Sequence, residues 1–244
     1  MLQTGCNIEA LGMWDNTPLL AACSCGHSEV ALKLIAHKAN VTARNEHDAT
    51  PLHYAAVEGG LTVVEALLGA ARAAGGEEDC HKLVNCGPAK VYNRHLDTYA
   101  RRTPLASAAE GGFLDLVVQL LAQEARVDAV SEGEKTALWL ACRHSRVSVA
   151  KLLMQHGASA SSKDAAGISV LGAAAVECNE ELMLALLTHG VGDVNDTAGS
   201  PLRDAVKASK RSVVEMLLTH GAAAQPALAS GASPLQVACQ KGDE

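Results

Sequence analysis

The feature that most constrains the fold of this chain is a short motif that recurs along nearly its whole length. Its clearest copy is TPLHYAAVEG, from Thr50 to Gly59. A threonine hydroxyl accepts an amide of the first helical turn, proline suits the first helical position, and glycine ends a short helix. Leu52, Ala55 and Ala56 share one helical face, and VVEALL at 63–68 predicts a second amphipathic helix. The motif therefore predicts a helical hairpin.

The hairpin recurs with a fixed period. Its predicted starts are Thr17, Thr50, Thr103, Thr136, Ser169, Ser200 and Ser233. Successive starts lie 33, 53, 33, 33, 31 and 33 residues apart, which is a 33-residue period with one insertion of 20 and one deletion of two. One hairpin cannot bury its apolar faces alone, so the period predicts a stack in which each unit packs on its neighbours.

Three segments resemble ankyrin repeats: TPLLAA from Thr17 to Ala22, TPLHYAA from Thr50 to Ala56, and LMQHGA from Leu153 to Ala158. The resemblance covers nearly the whole chain. It implies an all-α fold, an ankyrin-repeat solenoid of stacked helix-turn-helix units with short hairpin loops. About six complete repeats and a partial repeat at each end are expected.

We interpret 1–244 as one ankyrin repeat domain. The predicted boundaries are a partial repeat at 1–10, repeats at 11–43, 44–97 with an insertion at about 69–102, 98–129, 130–162, 163–193 and 194–226, and a partial repeat at 227–244. The sequence opens and closes within a repeat, and neither end resembles the polar caps of natural arrays. These ends predict a segment of a longer protein, or a chain whose ends are covered by neighbours.

Composition narrows the classes of partner. The net charge of −7 argues against nucleic acid and anionic membranes, which both need a basic face. No run approaches the ~20 apolar residues of a membrane span. The eight cysteines are scattered, mostly at helix positions, which suits a reducing compartment better than a disulfide framework. We therefore expect an intracellular, cytoplasmic protein.

The insertion at about 69–102 contains an acidic, glycine-containing piece at 75–79 and four residues of types that bind zinc, Cys80, His81, Cys86 and His95. The Cys-x5-Cys spacing is wider than in structural zinc sites, and adjacent cysteine and histidine ligands fit poorly. We therefore expect a mobile loop that extends the binding surface, with no metal and no cofactor.

The sequence contains none of the motifs typical of catalysis: no glycine-rich phosphate loop, no HExxH, no CxxC and no GxSxG. An open groove also lacks the closed pocket that a small-molecule substrate needs. The chain is therefore interpreted as a non-enzymatic interaction module whose partner is another protein, bound on a concave face. Two alternatives remain open, a permanent structural subunit of a large assembly and the regulatory arm of a larger enzyme or membrane protein.

The residues predicted to contact the partner lie in the loops and on the first helix of each hairpin. They are Trp14, His47, Tyr54, Glu58, Arg102, Trp139, Arg143 and His144. Tryptophan and arginine are enriched at binding hot spots, which centres the prediction on the fourth repeat. Two interpretations remain open for each tryptophan: an exposed contact, or a ring packed against the neighbouring hairpin.

Overall fold

A computed structural model of the chain describes residues 7–93, 98–175, 177, 179–189, 194–195, 200–224 and 232–241. These residues contain thirteen α-helices, two 3-10 helices and one two-stranded sheet. The predicted solenoid of stacked helical hairpins is confirmed, and the sheet is an addition that the sequence did not predict. The chain divides into two compact units, Met1–Glu132 and Gly133–Glu244.

The first unit begins with a 3-10 helix, Met13–Asp15, and continues with three helical hairpins. In chain order its elements are α1 (Pro18–Ser24), α2 (Ser28–Ala36), α3 (Pro51–Glu58), α4 (Leu61–Val84), β1 (Ala89–Asn93), β2 (Thr98–Arg102), α5 (Pro104–Gly111) and α6 (Leu114–Ala122). The first helices α1, α3 and α5 pack side by side, and α4 contacts both α2 and α6.

The second unit repeats this arrangement. A 3-10 helix at Glu132–Glu134 lies at its start, and its α-helices are α7 (Ala137–Arg143), α8 (Val147–Gln155), α9 (Val170–Ala175), α10 (Glu180–Thr188), α11 (Pro201–Lys207), α12 (Arg211–Thr219) and α13 (Pro234–Lys241). The first helices α7, α9, α11 and α13 pack in sequence, while α10 contacts α8 and α12.

Each first helix begins at the residue after a predicted threonine or serine, because that hydroxyl caps it. The Thr103 hydroxyl accepts the N–H of Ala106 at 3.2 Å, and the Thr136 hydroxyl accepts the N–H of Trp139 at 3.3 Å. The predicted helix starts are therefore confirmed.

The core consists of the apolar faces of both helices in each hairpin. The first residue of each predicted pair is buried: Leu34, Leu67, Leu120, Leu153, Leu186 and Leu217. Histidines close four second helices, His37, His156, His189 and His220, and each Nδ1 lies within 3.0 Å of the carbonyl oxygen four residues earlier. Their predicted structural role is confirmed. Within the described ranges, no helix combines the length and apolarity needed to span a membrane.

The insertion is a folded element, so the expectation of a mobile loop is wrong for its described residues. Helix α4 runs for 24 residues and bends at Gly75 and Gly76. Gly76 has φ 72° and ψ −159°, a conformation open to glycine. Beyond this bend, Cys80, Leu83 and Val84 are buried, and their burial keeps the second half of the helix against the unit.

The sheet follows α4 and consists of two antiparallel strands. Lys90 pairs with Arg101 and Tyr92 with Tyr99. The burial of β1 alternates strictly, with Ala89, Val91 and Asn93 buried, and β1 contacts α3. The insertion therefore leaves one face of its hairpin against the repeats and the other exposed.

Candidate functional site

Trp14 and His47, two of the predicted contact residues, meet in the loops of the first unit. The indole of Trp14 stacks on the imidazole of His47, with ring centroids 6.4 Å apart and an interplanar angle of 30°. The Trp14 carbonyl also accepts the N–H of Glu46 at 3.2 Å, and 53% of the Trp14 surface is exposed. The loops before the first and second hairpins thus present one paired aromatic surface.

Asn45 fixes these loops, although it is not among the predicted contact residues. Its Oδ1 accepts the N–H groups of His47 and Ala49, both at 3.0 Å. Its Nδ2 donates to Oδ1 of Asn16 at 2.9 Å and to the hydroxyl of Tyr54 at 3.1 Å. Only 6% of Asn45 is exposed, so these bonds form away from solvent and hold the loop backbone in one shape.

Tyr54 and Glu58 both lie on α3, but they differ in how much of each is exposed. Tyr54 is 9% exposed, and burial raises the pKa of its phenol, while the hydrogen bond from Asn45 opposes that shift. Glu58 is half-buried at the end of the helix. Tyr54 therefore supports the Trp14 and His47 pair through Asn45 and presents little surface of its own.

Arg102 lies in an interior ion pair. Its Nη2 is 3.1 Å from Oε1 of Glu110, and the two side chains are 11% and 6% exposed. Among the described residues, Nε of Arg102 has no hydrogen-bond partner. A charge in this position ties the end of β2 to α5, and it has little surface with which to contact a partner.

Trp139 is packed within the second unit. It is 5% exposed, and its Nε1 donates to the carbonyl of Ile168, 3.0 Å away in the next repeat. The ammonium of Lys135 lies 4.9 Å from the centroid of the ring. Of the two interpretations of this residue, the packed ring matches the geometry.

Arg143 and His144 end α7 and are partly exposed. Nη1 of Arg143 lies 2.9 Å from Oε1 of Glu177, with 38% and 50% of the two side chains exposed. His144 is the C-cap residue and is half-buried. These two residues lie four and five positions after Trp139, so one helix carries the packed ring and the exposed charge.

His53 joins the second repeat to the insertion. Its Nδ1 accepts the N–H of Thr50 at 3.1 Å, and its Nε2 donates to the carbonyl of Gly87 at 2.9 Å. The side chain is fully buried, and burial lowers its pKa from 6.5 to about 4. The neutral imidazole with Nε2 protonated satisfies both bonds.

The candidate zinc residues contact separate partners. The thiol of Cys80 lies 3.3 Å from Oε1 of Gln123, whereas the thiol of Cys86 lies 3.6 Å from Nδ1 of His53. The described cysteines are all free thiols, and His95 lies outside the described residues.

The exposed face of the β-hairpin is a second feature outside the predicted contact residues. It carries Lys90, Tyr92, Tyr99 and Arg101. The signal for it is the alternation of AKVYN, which is typical of a half-buried strand.

A comparable signal exists for Asn45, because a short polar residue five positions before the capping threonine or serine recurs as Asp164. Oδ1 of Asp164 accepts the N–H groups of Ala166 and Ile168.

Comparisons with known proteins support the repeat fold described above. A family model described as ankyrin repeats (3 copies) matches residues 1–73 and 68–164. The B-cell lymphoma 3 protein homolog of Mus musculus is 29% identical over 216 residues, which cover 86% of this chain and 45% of that protein. The ankyrin repeat protein nuc-2 of Neurospora crassa is 33% identical over 108 residues, which cover 44% of this chain and 8% of that protein.

A solved structure is similar over most of the chain. The crystal structure of the human ASB11 ankyrin repeat domain has a TM-score of 0.68 and 26% identity, and the match covers 88% of each chain. The present chain spans less than half the length of each of the two curated relatives named above.

Proposed function

This chain belongs to the ankyrin repeat family, and from that premise we propose that it is a non-enzymatic adaptor or scaffold that binds a partner protein. Ankyrin repeats are generally protein–protein interaction modules, and the fold is typically non-enzymatic. The proposed contact surface consists of the loop tips and the exposed side of the first helices, the face expected to be concave.

The stacked pair of Trp14 and His47 is the observation that carries this proposal. A half-exposed tryptophan offers a large apolar surface with few rotatable bonds, which is the type of residue that dominates binding energy. The loop is held before contact by Asn45 and by the hydrogen bond from Glu46 to Trp14. A partner therefore gains buried area while little ordering entropy is lost.

A second contact region in the proposal is the end of α7, with Arg143 and His144. The ion pair of Arg143 with Glu177 is exposed, so its net contribution to folding is small and its charges are available to a partner. The free thiols of the described cysteines favour a reducing compartment, and the cytoplasm is the proposed location.

The test is purification of the tagged protein from its own cells, with quantitative mass spectrometry of the co-purifying proteins. Three variants are compared with the unchanged chain: Trp14→Ala, the double variant Arg143→Ala with His144→Ala, and the control Val118→Ala. Val118 lies on a second helix and is 47% exposed, close to the 53% of Trp14. Residue 14 has a φ of 59°, which strains any residue with a Cβ. Because alanine retains the Cβ, this backbone strain is the same in the Trp14→Ala variant and in the unchanged chain.

An adaptor gives one or a few partners at equal stoichiometry, lost in Trp14→Ala and retained in Val118→Ala, with helical content unchanged in both. Loss only in the Arg143 and His144 variant would move the centre of binding to α7. A large fixed set of proteins, retained in every variant, would replace the proposal with a permanent subunit of an assembly. Absence of any specific partner would overturn it.

A further inference from the structure

The outer face of the β-hairpin is a small surface of two cations and two tyrosines. Lys90 and Arg101 are opposite each other in the register, and Tyr92 and Tyr99 form the adjacent pair. The tyrosine ring centroids are 4.9 Å apart, and the Lys90 ammonium lies 5.6 Å from the centroid of Tyr99. Tyr99 is 63% exposed and Tyr92 is 37% exposed. The four side chains thus form one continuous exposed patch, which we name the hairpin patch.

The rest of the hairpin holds this patch in place. The buried residues of β1 face the repeats, and β1 contacts α3. The N–H of Lys90 donates to the carbonyl of His47 at 3.3 Å, and Nη2 of Arg101 donates to the carbonyl of Pro88 at 3.2 Å. A guanidinium has five N–H donors, so Arg101 retains donors that can bind a further acceptor.

The spacing of the hairpin patch selects an extended ligand. Residues two apart on a strand lie on the same face and are about 7 Å apart. The cation pair and the tyrosine pair are separated by this interval. An extended segment that carries a carboxylate two residues from an apolar side chain can place the carboxylate between Lys90 and Arg101. Its apolar side chain then covers the two tyrosine rings.

The charges around the hairpin favour a short acidic protein segment over a nucleic acid. Oε2 of Glu132 accepts the N–H of Arg101 at 2.9 Å, which places a carboxylate beside β2. The exposed Glu46 precedes His47, whose carbonyl binds β1 on the other side. A polyanion that crossed β2 would meet the Glu132 carboxylate, whereas a segment that lies along the strands meets the two cations. Two cations also release few counterions from a nucleic acid.

We propose that the hairpin patch binds an extended acidic segment of a partner protein, with Lys90 and Arg101 pairing its carboxylate and Tyr92 and Tyr99 packing on its adjacent apolar side chain. This inference rests on the proposed function only in assigning the segment to a partner protein. It adds a charge-selective contact, located on the insertion, to the contacts at Trp14 and at α7.

The test is fluorescence anisotropy with a labelled twelve-residue synthetic peptide in which glutamate and leucine alternate at every second position, with serine between them. A peptide with glutamine for glutamate and a single-stranded DNA of twelve nucleotides are the comparison probes. The full chain is titrated beside three variants: Lys90→Gln with Arg101→Gln, Tyr99→Ala, and the control Lys33→Gln with Lys38→Gln. The control removes the same charge from exposed lysines on and after α2.

The expected result is saturable binding of the glutamate peptide that weakens on the order of tenfold in the Lys90 and Arg101 variant, and is unchanged in the control. Tyr99→Ala is expected to weaken it by a similar factor, with circular dichroism of each variant matching the parent chain. No binding of the glutamate peptide, equal binding of the glutamine peptide, equal binding by the Lys90 and Arg101 variant, or tighter binding of the DNA would each overturn the proposal.

These outcomes are separable from those of the proposed function. If the Lys90 and Arg101 variant retains the native partner and the peptide titration also fails, the proposal for the hairpin patch is overturned and the adaptor proposal stands. If the hairpin patch binds the peptide but no partner co-purifies, the proposal for the hairpin patch stands and the adaptor proposal is overturned.

Discussion

Nε2 of His53 lies 2.9 Å from the carbonyl oxygen of Gly87, 34 residues later in the chain. The same ring accepts the N–H of Thr50 through Nδ1, so one buried side chain caps α3 and holds the end of the insertion. The segment that leads into β1 is therefore attached to the repeat that precedes it. The stability of the repeat and the position of the hairpin are physically coupled at this residue.

Replacing His53 with alanine should lower the free energy of unfolding by about 2 to 4 kcal/mol, because it leaves the buried Thr50 N–H without its acceptor, removes the bond to the Gly87 carbonyl and leaves a cavity in place of a fully buried ring. Urea denaturation followed by circular dichroism measures this. The matched control is His37→Ala, in which an exposed histidine loses one hydrogen bond to the Lys33 carbonyl. Its expected cost is about 0.5 kcal/mol. Equal costs at the two positions would contradict the assigned role of His53.

The stability of the chain should also fall in acid through His53. Its pKa is about 4 in the folded protein and 6.5 when exposed, so the unfolded chain takes up the proton first as the pH falls. The contribution is fully present above pH 6.5 and is lost between 6.5 and about 4. The loss amounts to roughly 3 kcal/mol.

The measurement for this pH dependence is the urea midpoint of the parent chain and of His53→Gln across that window. Glutamine does not titrate and still completes a capping box, so its curve lacks the His53 contribution. A parent curve that runs parallel to the glutamine curve would show that His53 does not govern the acid response.

Gly59 and Phe113 are in close contact, and an alanine at position 59 should be costly. A Cβ there would lie 2.6 Å from Cε1 of the Phe113 ring, and Gly59 has φ 70°. Backbone strain and overpacking together predict a loss of about 2 to 4 kcal/mol. The neighbouring Gly60 is the control, since its Cβ would meet nothing nearer than the Ala55 oxygen at 3.7 Å.

Thermal or urea unfolding of Gly59→Ala and Gly60→Ala measures the difference. Combining Gly59→Ala with Phe113→Ala separates the two causes, because removal of the ring leaves only the strain, about 1 to 2 kcal/mol. If Gly59→Ala lowers the free energy of unfolding equally with and without the Phe113 ring, the contact with Phe113 does not explain why position 59 requires glycine.

Replacing Arg102 in its ion pair with Glu110 should destabilise the chain by about 3 to 5 kcal/mol, because the nearly buried carboxylate loses the guanidinium beside it. The control is Arg211→Ala. Its pair with Glu215 has a similar distance, 3.0 Å against 3.1 Å, but its side chains are 91% and 64% exposed. The expected cost of that change is below about 1 kcal/mol.

A double-mutant cycle in urea tests the assignment of Arg102. Arg102→Met with Glu110→Leu should recover most of the stability that Arg102→Met alone loses, since the two facing charges are then removed together. Additive losses in the double variant would mean that the two side chains act independently.

The repeat was predictable because its signals are local. A threonine or serine cap precedes each first helix, a proline follows it in most of them, and the first leucine of each apolar pair is buried; each of these signals acts within a few residues. The insertion was mispredicted for the opposite reason. Gly69, Gly75 and Gly76 lower the helical propensity of α4, yet the burial of Cys80 and Leu83 against the unit overrides it.

The candidate site was predictable in part. The types of residue that bind partners can be read from the sequence, but exposure depends on neighbouring repeats. Three predicted contact residues are nearly buried, and each bonds to a residue elsewhere in the chain: Tyr54 to Asn45, Arg102 to Glu110 and Trp139 to Ile168. Trp14 remains half-exposed because the residue it stacks on belongs to a loop.

Asn45 and Asp164 hold the same loop shape in two different repeats, but they are not interchangeable. Both accept the N–H groups two and four residues later, while Asn45 also donates to Asn16 and to Tyr54. A carboxylate has no N–H to donate, so Asp164 fixes only its own loop. The second repeat is thus matched to the particular repeat before it. Shuffling repeats within this array would keep the loop shape of each and lose the bond that sets the order of the first two.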